Sequence, residues 1–238
     1  MFFLEIYPKK ILFNTLTNYN MEEQVDTYND RYEHIGTASK KAVHKTGQWH
    51  RSFICMLINP EKKTMILQCK VENLYNFDRP DYVDFTAGGH YQVGESIEDG
   101  IRELREEVGI KASFSELIPL GVRQTAHTIN DSFIEYEFQH IFLYSTTQTL
   151  DGFTLEKTEV KSLVELDIQE GIDLLLGKKD EVTATSIAVI GEKKVQKNIT
   201  LTRKEFVPSY ITKDKIFVRL FIAAKRFIDG DTPEEIFV

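Results

Sequence analysis

Between residues 52 and about 166 the chain is built from short apolar or alternating runs: SFICMLIN, TMILQCKV, LIPLGVRQTA, FIEYEFQHIFLYS and VKSLVEL. Such runs, rich in Ile, Val, Phe and Tyr, predict β-strands. Two helices interrupt them. One follows Glu95, where Ser96 and Asp99 form a capping box and Gly109 supplies a left-handed stop. In it Ile97, Ile101, Leu104 and Val108 recur at helical spacing and make a narrow core stripe. The other follows Asp167, which caps together with Glu170, and stops at Gly177. Farther on, TATSIAVIGEKKVQKNITLTRKEFV reads as a hairpin turning near Gly191. Residues 213–229 read as a third helix, with Thr212 as cap and Gly230 as stop. Strands with a few interleaved helices imply an α+β chain whose mixed sheet is covered on both faces, an α/β/α sandwich.

The 238 residues, 42% of them hydrophobic, suffice for one large domain with a full core. We place that domain at residues 26–177, with an N-terminal extension over 1–25 and a C-terminal hairpin and helix over 178–238 packed on it. A net charge of −8 disfavours a nucleic-acid partner and points to a small molecule. Cys55 and Cys69 lie in strand-like runs with no metal-binding spacing, which suits a reducing cytoplasm. The apolar start lacks a basic leader and a cleavage site, and no run reaches membrane-spanning length, so neither secretion nor a membrane is expected. The oligomeric state is open, a homodimer included.

The helix after Glu95 changes this picture. Its apolar stripe leaves Glu103, Glu106 and Glu107 on the other side, at spacings where carboxylates repel one another unless a cation is held among them. A hard ion such as Mg²⁺ or Mn²⁺ suits oxygen ligands of this kind. The plainer alternative is a solvated acidic face with Arg102 and Arg105 as ion-pair partners. Gly88 and Gly89 before the helix, and Gly94 and Glu95 at its start, favour a phosphate site at a glycine loop and helix N-terminus.

At these residues the chain resembles the Nudix hydrolase family, whose signature is G-x5-E-x7-R-E-U-x-E-E-x-G-U with U a bulky aliphatic. Gly89 and Glu95 match its opening, and Arg102 to Ile110 match its close at every position, with one residue fewer between Glu95 and Arg102. The resemblance implies hydrolysis of an organic diphosphate. Glu103, Glu106 and Glu107 would hold the Mg²⁺ or Mn²⁺, Glu103 or Glu106 would act as base, and Gly88, Gly89 and Arg102 would lie against the substrate. Arg51 and Arg123 are further candidates for holding a phosphate, or else form surface ion pairs.

A second set comprises His44, His50, His90, Glu135 and Glu137, three imidazoles and two carboxylates suited to a transition metal. The set resembles isopentenyl-diphosphate isomerase, a Nudix-fold enzyme that holds a metal with three histidines and two glutamates in this order. That enzyme carries a catalytic cysteine where this chain has Gly88, so the resemblance points to the isomerase-like branch that performs hydrolysis. Each histidine could instead serve hydrogen bonding or packing, and Glu137, with Glu135 behind it, could support the helical glutamates. Isomerisation and nucleotide sensing without cleavage are the competing functions. Trp49, Tyr75, Phe77, Tyr82 and Phe85 could stack a ring, or simply fill the core.

Overall fold

The computed structural model describes residues 22–71 and 82–237. The first 21 residues of the expected extension, and Tyr75 and Phe77, lie outside them. The strands are β1 Gln24–Tyr28, β2 His34–Ser39, β3 Trp49–Asn59, β4 Thr64–Lys70, β5 Val83–Asp84, β6 Ala87–His90, β7 Ile118–Asn130, β8 Phe133–Ser145, β9 Val160–Asp167, β10 Glu181–Ile190 and β11 Lys193–Thr202. The helices are α1 Lys40–Thr46, α2 Arg102–Val108, α3 Ile168–Leu175, α4 Pro208–Thr212 and α5 Ile216–Asp229.

One mixed sheet runs β11-β10-β9-β4-β3-β1-β2, with β6 and β8 also pairing with β3. Its centre is β3. Residues 50–58 of that strand pair with β8 in parallel, while the other edge meets β1, β6 and β4 in turn. A strand packed on both faces must be apolar on both, which is why SFICMLIN reads as a continuous run. Ile54, Met56 and Ile58 enter one core with Met65, Leu67, Leu143, Phe217 and Phe221. Phe53, Cys55 and Leu57 enter the other with Tyr91, Leu104, Val108 and Phe142. Helix α2 therefore covers one face and α3 with α5 the other, which is the expected α/β/α arrangement. At the contact of α3 with α5, a Cβ on Gly171 would collide with the Phe221 ring, so the close approach requires glycine there.

The hairpin turns at Gly191, whose φ is 63°, and β10 continues the sheet through β9. The third predicted helix is corrected. Pro208 starts a short separate helix, α4, and Thr212 donates its hydroxyl to the Pro208 carbonyl at 2.9 Å in place of capping. Helix α5 then begins after Lys215, whose left-handed φ of 56° breaks the path. The predicted helix after Glu95 opens as a 3₁₀ turn, Glu98–Ile101, before α2 proper. Helix α1 was not predicted, although Ser39 caps it and Gly47 ends it in the left-handed region. Among the described residues no helix is long and apolar enough to cross a membrane.

Candidate active site

Helix α2 presses against β6 so closely that a Cβ on Gly89 would overlap the Glu103 carboxylate. At Gly88 the neighbour is backbone, the Phe53 carbonyl oxygen, so packing requires glycine there. The helix's three acids take different positions. Glu107 is fully buried and accepts from Gln68 Nε2 at 3.0 Å, Gly88 N at 3.1 Å and Lys70 Nζ at 2.8 Å. Burial pushes its pKa up, and the Lys70 ammonium opposes that. Glu103 is 6% exposed, and burial, with the charge of Glu107, raises its pKa to about 7. Glu106 stands at the rim with 46% of its side chain exposed.

Arg102 ties this end together. Its Nε reaches Glu95 at 2.8 Å, its Nη1 reaches Glu103 at 2.6 Å and Glu106 at 3.0 Å, and its Nη2 donates to the His90 carbonyl at 2.8 Å. Glu95 thus meets Arg102 despite the shortened spacing. The repulsion expected among the acids is offset by two cations of the chain itself, Arg102 and Lys70. Lys70 and Gln68 were missed from sequence. Both fall on one face of β4, and the only signal was two polar residues interrupting an apolar run.

A second pole lies where β3, β6 and β8 meet. Parallel pairing sets His50 beside Glu137, and antiparallel pairing sets His90 opposite Ser52. Helix α1 brings in His44, whose Nε2 is 3.1 Å from His90 Nε2. Glu137 Oε1 is 3.7 Å from His50 Nε2 and 3.6 Å from His90 Nε2. One donor atom from each of His44, His50, His90 and Glu137 lies within 4.8 Å of the others. Among the described residues this is the one group that gathers so closely. His44 Nδ1 and His50 Nδ1 bond to the carbonyls of Ile134, at 3.1 Å, and Gln48, at 2.8 Å. Both rings therefore turn Nε2 toward the group. His50 Nε2 is buried with no hydrogen-bond partner among the described residues.

Burial lowers all three imidazole pKa values, His44 to about 4, so the rings are neutral near pH 7. Burial works against the Glu137 charge, but the neighbouring His90, His50 and His44 rings hold the carboxyl below the usual range. Three neutral nitrogens and one carboxylate fit a borderline transition ion better than Mg²⁺.

Both poles open into one cavity of about 580 Å³, lined among others by Lys70, Gly88, Gly89, His90, Arg102, Glu103, Glu106, Glu135 and Glu137. Phe85 lines it too and stacks on Tyr210 at 5.0 Å. Trp49 instead packs on Tyr136 and Phe138, and Tyr82 packs on the core. Arg51 lies on the opposite face of β3 from His50. It donates to the Glu95 carbonyl at 2.6 Å and rests over the rings of Tyr28 and Tyr91. Arg123 is buried against Gln139, Asp214 and the Tyr210 ring. Cys55 is enclosed in the core, and burial pushes the pKa of both thiols up.

A family profile described as the NUDIX domain matches residues 48–183. An uncharacterized Nudix hydrolase of Clostridium acetobutylicum is 35% identical, over 83% of this chain and 96% of its own length. Isopentenyl-diphosphate Delta-isomerase 2 of Photorhabdus laumondii is 29% identical over 46% of this chain, which spans 59% of that relative. Among solved structures, a Deinococcus radiodurans protein is similar with a TM-score of 0.48 at 18% identity, over 66% of this chain and 91% of that one. The profile covers more than half of the chain, with the α2 signature inside it, and the chain belongs to the Nudix hydrolase family.

Proposed function

We propose that the chain is a pyrophosphohydrolase that cleaves a small organic diphosphate with the help of Mg²⁺ or Mn²⁺, in a domain over residues 26–177. The observation that carries this reading is the shared cavity, which joins the signature carboxylates to the His44, His50, His90 and Glu137 group. A divalent ion bound there would neutralise the diphosphate and make a water molecule more acidic.

The residues divide the remaining work. Glu103, with a pKa near 7, is poised to take a proton from water at neutral pH and is the base we favour. Glu106, at the rim and held by Arg102, would face an ion in the cavity. Glu107 would be a further ligand, in which case Lys70, now bonded to it at 2.8 Å, would serve the substrate's phosphate oxygens. Arg102 keeps Glu103 and Glu106 aimed into the cavity. His44, His50, His90 and Glu137 would hold a second ion, with Glu135 beside them on the cavity wall. Arg51 and Arg123 have partners within the fold, so we assign phosphate contact to Lys70 and Arg102 in preference to them.

The histidine group and the similarity to a named isomerase favour isomerisation as the second reading. Gly88 weighs against it: a Cβ there would lie 2.8 Å from the Phe53 carbonyl oxygen, leaving no room for a side chain, let alone a reactive thiol. Metal-stripped protein should be assayed with nucleoside diphosphates, nucleotide sugars, thiamine-type and prenyl diphosphates, with Mg²⁺, Mn²⁺ or Zn²⁺ added back. Release of a monophosphate with Mg²⁺ or Mn²⁺ is expected. Turnover with Zn²⁺ alone and none with Mg²⁺ or Mn²⁺ would overturn the assignment to the α2 carboxylates.

A further inference from the structure

We propose that Asp214, Arg123 and Gln139 form a relay that positions Glu137 for metal binding, so that the C-terminal region sets the ion affinity of the histidine group. The proposal rests on reading that group as a metal site. Asp214 lies between α4 and α5, outside the residues 48–183 that the family profile matches.

The relay begins at the carboxylate. Gln139 stands two residues beyond Glu137 on β8 and shares its face. Its Nε2 donates to Glu137 Oε2 at 2.8 Å, and Ser52 Oγ donates to the same oxygen at 2.8 Å. Oε2 is thus occupied and Oε1 is left toward His50 and His90. A carboxamide can be turned over, so something must hold Gln139 with its NH₂ toward Glu137. Arg123 does this. Its Nη1 donates to Gln139 Oε1, and a guanidinium has no acceptor that would tolerate the flipped amide.

Arg123 is itself fixed. Its Nε donates to Asp214 Oδ2, and its guanidinium lies 4.9 Å from the centre of the Tyr210 ring. Asp214 also accepts from Ile216 N at 3.3 Å, which ties it to the first turn of α5. Every link runs one way: Arg123 gives to Asp214 and to Gln139, and Gln139 gives to Glu137. Without Arg123 the amide can present its oxygen to the Glu137 carboxylate, and the repulsion displaces the metal-facing oxygen.

The test uses the full chain, stripped with chelator and titrated with Co²⁺ by calorimetry and by visible absorption, whose bands report ligand geometry. Outer partners of metal ligands typically change affinity about 10–100-fold. Arg123→Met should weaken Co²⁺ binding within that range and alter the bands. Asp214→Ala should weaken it by about tenfold, and Asp214→Glu should restore most of the loss. Lys213→Ala perturbs the same segment without touching the relay and should leave affinity and bands unchanged. If Arg123→Met fails to fold, Asp214→Ala carries the test, because about a third of that side chain is exposed. Wild-type affinity and bands in Asp214→Ala, with only the melting temperature shifted, would overturn the relay. A wild type that binds no Co²⁺ would overturn it at its foundation, the metal site itself.

Discussion

Replacing Lys70 by Met would isolate the ion pair at the heart of the site. In the native protein the Glu107 carboxylate is fully buried, with Gln68, the Gly88 N–H and Lys70 as its three donors. Lys70 keeps 22% of its side chain exposed, so the charge left behind, on Glu107, is the more deeply buried of the two. Removing one partner of a buried pair costs about 3–5 kcal/mol, and the exposure of Lys70 puts this case near the lower end, about 3 kcal/mol.

The loss should depend on pH. Burial already raises the Glu107 pKa, and Lys70 is the main influence holding it down, so in Lys70→Met it rises further. A carboxyl whose pKa is higher folded than unfolded gives stability that is complete below the unfolded pKa and lost as pH rises through the folded one. The variant should therefore lie close to wild type at about pH 5 and fall behind by about 3 kcal/mol by about pH 8. Urea unfolding with EDTA at both pH values measures this. Adding Glu107→Gln should recover most of the loss at the higher pH, and Mg²⁺ should stabilise Lys70→Met more than wild type, since Lys70 occupies the carboxylate an ion would use. A deficit under about 0.5 kcal/mol at pH 8, or equal deficits at both pH values, would refute the reasoning.

Glu103→Gln should stabilise the metal-free protein at about pH 8 and have little effect at about pH 5. The rise from 4.5 to about 7 caps the gain at about 3 kcal/mol, less whatever the Arg102 bond contributes, and thermal melts at both pH values read it. Replacing both Cys55 and Cys69 by Ala should cost some packing stability and leave turnover unchanged. Inactivation of folded wild type by a thiol reagent, blocked by substrate, would contradict that. Gly88→Cys should lower stability without conferring isomerase activity, checked by melting and by proton exchange into isopentenyl diphosphate, because the new Cβ meets the Phe53 carbonyl.

The strands and α2 were legible because burial imposes a period: β3 had to be apolar on both faces, and the α2 stripe had to face the sheet. The signature acids were legible for the same local reason, spacing on one helix. Their partner Arg102 was named from the same helix, but the partner of Glu107 was not. Lys70 meets Glu107 through the contact of β4 with α2, and no local pattern announces it. The join of His44 to His90 depends on α1, whose seven residues are too short for a clear periodic signal. The break before α5 hinged on Lys215 in a left-handed conformation that lysine seldom adopts, so a continuous helix was the natural expectation. Arg123 looked like a surface cation able to meet phosphate, but long-range packing buried it against Asp214 and Gln139.

Turnover in ¹⁸O-labelled water, with Mn²⁺ and whichever diphosphate the panel identifies, is the most direct test. Wild type should place ¹⁸O in one phosphate product, and Glu103→Gln should react at least about 100-fold more slowly while still folding, a loss of the size expected for a general base. An unlabelled, rearranged diphosphate as product, or wild-type turnover by Glu103→Gln, would contradict a hydrolase that works through the α2 carboxylates.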